Sequence, residues 1–110
     1  MTKTPREPGT YTVILEDRTG KELARCRRPG NERYLVRRDP RFPLLFNLDM
    51  LSYDVFSQSD ATQLHAELLA LIDGLQDDAD RGHVREIAQL AFRAANLEGA
   101  TITFTPFSQP

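Results

Sequence analysis

The chain has few of the features that stabilise or anchor exported proteins. Cys26 is its only cysteine, and a single thiol cannot close a disulfide within the chain. Residues 1–10 carry charges and two prolines in place of the apolar stretch of a signal peptide. Outside the predicted helices, the apolar run 43–46 is far short of the roughly twenty residues of a membrane span. We therefore expect a cytoplasmic protein that does not associate with membranes.

Catalytic and metal-binding motifs are also missing. There is no glycine-rich phosphate loop, no serine-centred elbow and no carboxylate pair in a recognisable context. Neither His65 nor His83 has a histidine or cysteine three or four residues further on. The acidic run 77–82 fails the spacing of a calcium loop and is expected to be a solvated turn that supplies acidic residues to a helix N-terminus. For His83, a weak surface site with Asp78 and Asp80 is the alternative. We expect structural or solvated roles for both histidines.

Cys26 lies between two arginines, and nearby positive charge can activate a thiol. Alternation along a strand, however, places its side chain on the face opposite both neighbours. A half-buried structural cysteine is therefore favoured over a nucleophile. Taken together, the sequence predicts no enzymatic activity, no metal and no cofactor.

A marked separation of charge is present. Residues 1–41 contain eleven basic and six acidic residues, whereas residues 42–110 contain three basic and ten acidic ones. Segregated charge generally concerns surfaces and partners rather than chemistry. The net charge of −2 weakens general attraction to nucleic acid, although a local basic surface can still bind it.

Alternation of residue type predicts four strands, at 10–15, 21–27, 32–38 and 101–105. The first two form a hairpin whose polar turn contains Gly20, which can adopt a positive φ. In the third strand, Tyr34 and Val36 are expected to point inward and Leu35 to the opposite face.

The period changes from two to about 3.6 at Ser57. Apolar residues at helical spacing predict amphipathic helices at 58–75 and 79–97, packed as a helical hairpin. Ser57 is expected to cap the first helix by accepting a hydrogen bond from the amide of Asp60. Gly99 is expected to end the second helix in the left-handed conformation.

The predicted order is β-β-β-α-α-β, an α+β fold in which a helical hairpin packs on one face of an antiparallel sheet. We expect one domain over residues 1–110, with 1–9 as a flexible N-terminal tail. Residues 44–56 are apolar but aperiodic, which indicates a buried connection with one short helical turn. Phe46 would then belong to the core, and its truncation would cost ~3–5 kcal/mol. The alternative is an exposed patch for a partner or a second copy.

Arginines concentrate at 25–41, where two paired strands would bring them onto one face. Arginine binds carboxylate and phosphate groups well, although these arginines can also pair within the chain. The candidate partner-binding residues are Arg25, Arg27, Arg33, Arg37, Arg38 and Phe46.

Residues 39–71 combine an Asp-Pro pair, an apolar Pro-Leu-Leu run, an Asp-containing turn and a Val-Phe pair before a capped, leucine-rich helix. The matching residues are Asp39, Pro40, Pro43, Leu44, Leu45, Leu48, Asp49, Val55, Phe56 and Ser57. This segment resembles a group of small uncharacterised actinobacterial proteins, although Leu-Ser-Tyr-Asp at 51–54 replaces the group's Tyr-Gly-Asp turn. The resemblance implies a bacterial origin and no established activity.

Two functional hypotheses follow. The first is a small non-enzymatic protein-binding module, of which a bacterial immunity or inhibitor protein is an example, with another protein or a second copy as its partner. The alternative is a regulatory or nucleic-acid-associated protein that binds through an arginine-rich strand face.

Overall fold

The computed structural model describes residues 9–109 and contains a four-stranded antiparallel sheet with two long helices on one face. The strands are β1 (Thr12–Glu16), β2 (Glu22–Arg27), β3 (Asp54–Ser57) and β4 (Thr101–Thr105), and the helices are α1 (Glu32–Leu35), α2 (Gln58–Asp73), α3 (Asp78–Ala95) and the 3-10 helix Leu45–Asn47. The order across the sheet is β2-β1-β4-β3. The predicted α+β fold is confirmed. Of the predicted tail, only Gly9 lies within the described residues.

β1 and β2 form the predicted hairpin. The carboxylate of Asp17 closes its turn by accepting hydrogen bonds from the backbone amides of Thr19 at 2.8 Å and Lys21 at 3.0 Å. Gly20 has a φ of +85°, the positive φ that the sequence allowed for.

The prediction of a strand at 32–38 is wrong, because this segment begins with the single turn of α1. Tyr34 and Leu35 are both buried, and a helical turn at a corner can bury two successive side chains whereas strand alternation separates them. The preceding Asn31 side chain accepts a hydrogen bond from the amide of Tyr11 at 2.7 Å and donates one to its carbonyl at 2.9 Å. The Asn31 side chain thus provides hydrogen-bond partners for both the N–H and the C=O of Tyr11, as the backbone of a neighbouring strand would.

The third strand comes instead from the segment predicted to be a buried connection. β3 pairs with β4, with Phe56 opposite Ile102 and Val55 opposite Thr103. Phe56 is buried against the helices, whereas Val55 is 59% exposed on the other face. β4 lies inside the sheet, so its backbone groups need partners on both sides, and β3 supplies the second set.

Both long helices are confirmed, and each ends two residues earlier than predicted. Ser57 precedes α2 as expected, but its hydroxyl contacts the side chains of Ser59 at 2.8 Å and Asp60 at 3.3 Å rather than the Asp60 amide. The predicted capping bond is therefore wrong. α3 is capped by Asp77, whose carboxylate accepts a hydrogen bond from the Asp80 amide at 2.9 Å.

The segment 43–56 divides between core and surface. Leu45 and Leu48 are 0% and 1% exposed and join the core as predicted, and the 3-10 helix confirms the short helical turn. Phe46 is 37% exposed, so its assignment to the buried core is wrong. The other exposed apolar residues of this region are Leu51, Tyr53 and Val55.

A buried carboxylate holds this segment against α2. Glu67 is 2% exposed, and its carboxylate accepts hydrogen bonds from the backbone amides of Leu44 and Leu45, each at 3.0 Å. The side-chain amide of Gln63 donates a further hydrogen bond to this carboxylate at 3.0 Å. The first amides of a helix have no partner within it, so Glu67 satisfies those at the start of the 3-10 helix.

Candidate functional site

The structure separates the six predicted partner-binding residues into three groups. A single arginine-rich face required residues 32–38 to pair as a strand, and that strand does not form. Two of the residues remain on the sheet, one joins the start of α3, and three lie in or beside the 3-10 helix. Arg25 and Arg27 are the residues on the sheet, Arg33 is the one at α3, and the third group consists of Arg37, Arg38 and Phe46.

Arg25 and Arg27 lie on the sheet face turned away from the helices. Arg25 is paired with Ile14 across the ladder and binds Glu22 through two N–O contacts of 2.9 and 2.5 Å. The hydrogen bond from Arg25 lowers the pKa of the Glu22 carboxyl below its ordinary value. At this position the structure agrees with pairing within the chain.

Arg33 belongs to an ion cluster at the start of α3. Asp80 is 7% exposed, and its carboxylate accepts hydrogen bonds from Arg33 at 2.9 Å and from the guanidinium of Arg28. The Arg33 guanidinium also lies 4.9 Å from the ring centre of Tyr34. These contacts join the loop after β2 and α1 to α3, so the cluster links elements far apart in the chain.

Arg38 and Phe46 form the third group, together with Arg37. The Arg38 guanidinium lies 5.8 Å from the ring centre of Phe46 and donates hydrogen bonds to the carbonyls of Phe46 and, at 3.3 Å, Leu48. Arg37 lies 5.5 Å from the ring centre of Phe42. A shallow cavity of about 400 Å³ adjoins Phe46. The structure therefore brings an arginine and an exposed aromatic ring together at this corner.

A groove between α2 and α3 was not predicted. It has a volume of about 380 Å³, and Leu69, Arg85, Phe92 and Arg93 are among its lining residues. Leu69 is 45% and Phe92 57% exposed. The ring of His65 lies 5.5 Å from that of Phe92. The lining of the groove thus combines apolar side chains with two arginines.

The sequence contained a signal for this groove. The core stripe of α2 includes Leu64 and Leu68 and that of α3 includes Ile87 and Ala91, all of which are buried. Leu69 lies outside its stripe, as Phe92 does in α3. A large apolar residue outside the core stripe of each of two packed helices indicates an exposed apolar surface.

The most reactive side chains are engaged in packing or hydrogen bonding. Burial raises the pKa of the Cys26 thiol to about 12, which keeps it protonated at neutral pH. His83 is buried, with Nε2 3.2 Å from Nδ2 of Asn31, and His65 packs on Phe92. Within 9–109, no group of three or more His, Cys, Asp or Glu is placed to hold a metal ion.

No family model, curated protein or solved structure matches this chain. The resemblance of residues 39–71 to actinobacterial proteins therefore stays a prediction. In the described part of the chain, no helix combines the length and apolar character needed to cross a lipid bilayer. Functional assignment rests on the surfaces described above.

Proposed function

We propose that this chain is a non-enzymatic protein-binding module and that its partner binds in the groove between α2 and α3. The observation that carries the proposal is the joint exposure of Leu69 and Phe92 in one concave surface. Full burial of a leucine or phenylalanine contributes about 1.5–3 kcal/mol. Covering these two half-exposed side chains would contribute roughly that amount in total.

The environments of Cys26 and His83 support a function without catalysis. Burial raises the pKa of the half-buried Cys26 thiol, and a cysteine nucleophile acts as the thiolate. His83 accepts a hydrogen bond from Asn31 inside the protein. An immunity or inhibitor protein is the narrower form of the proposal, since such proteins act by covering a partner surface.

The nucleic-acid alternative is not favoured, because the arginines it invoked lie in separate places. Arg25 and Arg33 each bind a carboxylate of the chain, which competes with phosphate. Phosphate contacts would produce binding to DNA or RNA that falls steeply with salt. Detection of such binding at low salt would restore this alternative.

Site-specific photo-crosslinking tests the proposal. A photoreactive amino acid is placed at Gln89, on the groove, or at Thr19, an exposed position in the β1–β2 turn. The crosslinked protein is identified, purified and titrated against the purified chain by calorimetry. We expect a specific crosslink from position 89 and none from position 19.

The affinity measurement includes a matched pair of variants. Phe92→Ala should weaken binding at least about tenfold, as expected of a central aromatic anchor. Leu51→Ala removes a side chain that is 71% exposed outside the groove and should leave affinity unchanged. Equal affinities for Phe92→Ala and the parent would refute the groove as the binding site. Sedimentation velocity of the chain alone distinguishes a second copy from another protein.

A further inference from the structure

Two arginines that line the groove have no carboxylate partner in the described part of the chain. Arg85 and Arg93 both line the groove, and neither takes part in an ion pair within residues 9–109. By contrast, Arg25, Arg28 and Arg33 each bind an acidic side chain. The groove therefore combines exposed apolar surface with unneutralised positive charge.

The sequence of α3 explains why these charges are unpaired. Residues three and four positions apart are neighbours on a helix surface. The residues at those distances from Arg85 are Arg81, Gly82, Ala88 and Gln89, and those from Arg93 are Gln89, Leu90, Asn96 and Leu97. None is acidic, although residues 42–110 contain ten acidic residues and only three basic ones. The three basic residues all lie in α3.

The spacing of the two arginines fits an elongated occupant. They are eight residues apart in α3, which corresponds to about 12 Å along the helix axis. Carboxylates about two turns apart on a partner helix would match that separation. Apolar residues between them would contact Leu69 and Phe92, in the way that amphipathic helices bind apolar grooves.

We infer that the groove binds an acidic amphipathic helix of a partner protein. Its apolar side chains cover Leu69 and Phe92, and its carboxylates pair with Arg85 and Arg93. The inference rests on the proposed function and specifies the chemistry of the partner. Charge complementarity is the reason for choosing an acidic helix over a second copy or a neutral segment.

The test uses the full chain and labelled synthetic helices as probes. One peptide of about five helical turns has an apolar stripe flanked by glutamates. A second has lysine at every glutamate position, and a third is the acidic peptide scrambled to destroy the stripe. Fluorescence anisotropy at low salt should show at least about tenfold tighter binding of the acidic peptide than of the other two.

Charge reversal makes the test specific to the two arginines. The double variant Arg85→Glu/Arg93→Glu should invert the preference, so that the lysine peptide binds more tightly than the glutamate peptide. Lys21→Glu is the matched charge control, since Lys21 is exposed immediately before β2, and it should retain the preference of the parent. Circular dichroism before titration establishes that the variants fold.

The possible failures are distinguishable. The acidic and basic peptides could bind equally well to the parent and not at all to Phe92→Ala. That result would overturn the acidic-helix inference and leave the groove as a protein-binding site. Absence of binding by either amphipathic peptide at millimolar concentration, together with absence of self-association, would overturn both proposals. Displacement of the acidic peptide by a short DNA duplex at equal concentration would show that the arginines bind phosphate, and the helix inference would fail. Self-association that depends on Phe92, without peptide binding, would identify a second copy as the occupant.

Discussion

Asn31 and His83 are 52 residues apart in the sequence, and Nδ2 of Asn31 lies 3.2 Å from Nε2 of His83 inside the protein. The amide of Tyr11 donates to Oδ1 of Asn31, which determines that the NH₂ group of Asn31 faces His83. Nε2 of His83 must then accept this hydrogen bond, so the imidazole is neutral. Protonation would place two donors against each other.

This contact predicts a loss of stability in mild acid. Burial is the main reason why the pKa of His83 is lowered from 6.5, with Arg28 nearby acting in the same direction and Asp80 and Glu86 opposing it. The unfolded chain therefore binds a proton that the folded chain excludes. The free energy of unfolding should fall below about pH 6.5 by up to ~1.4 kcal/mol per pH unit, until the lowered pKa is reached.

Urea denaturation at a series of pH values measures this effect. His83→Gln should remove the slope that begins near pH 6.5, since glutamine does not titrate. His65→Gln is the matched control, because it removes the other histidine of the chain and leaves the contact between Asn31 and His83 intact. A slope that persists in His83→Gln would assign the acid sensitivity to other groups.

Glu67→Gln tests the carboxylate that holds the 43–48 segment. The substitution preserves shape but replaces charge-assisted bonds to two backbone amides with weaker neutral ones. We expect the free energy of unfolding to fall by roughly 1–3 kcal/mol. Glu86→Gln, at an exposed position of α3, should change it by less than about 0.5 kcal/mol. Comparable losses in the two variants would contradict the role assigned to Glu67.

The same glycine-to-alanine change should have opposite effects at two positions. An alanine Cβ at Gly99 would lie 2.6 Å from Cβ of Arg18, and φ there is +76°, so we expect a loss of about 1–3 kcal/mol. Gly82 lies within α3 with no atom within 4 Å of an added Cβ. Gly82→Ala should therefore stabilise by about 0.5–1 kcal/mol. Thermal denaturation of both variants decides the matter, and effects of equal sign would be inconsistent with this geometry.

Neighbouring residues in the 3-10 helix should differ in their contribution to stability. Leu45 is fully buried and Phe46 is 37% exposed. Leu45→Ala should cost about 2–5 kcal/mol, whereas Phe46→Ala should cost less than about 1.5 kcal/mol. Chemical denaturation measures both. A larger loss of unfolding free energy for Phe46→Ala than for Leu45→Ala would indicate that Phe46 belongs to the core.

Much of the fold could be predicted because near neighbours in the chain decide it. The change of period at Ser57 indicated both long helices, since helical hydrogen bonds join residues four apart. The polar turn with Gly20 indicated the β1–β2 hairpin for the same local reason. The last strand was also correct, because its alternation is regular.

The candidate site could not be predicted in the same way, because contacts between distant residues decide it. The four-residue β3 forms beside β4, almost fifty residues later in the sequence, and so takes the third-strand role expected of 32–38. Because residues 32–38 do not form a strand, the predicted arginines lie in three separate places. Leu69 lies outside the core stripe of α2, and Phe92 lies outside that of α3. The two residues line one groove only because α2 and α3 pack side by side. The sequence by itself determined the helices and the hairpin turn through local bonding, and the tertiary structure decided which exposed residues share a surface.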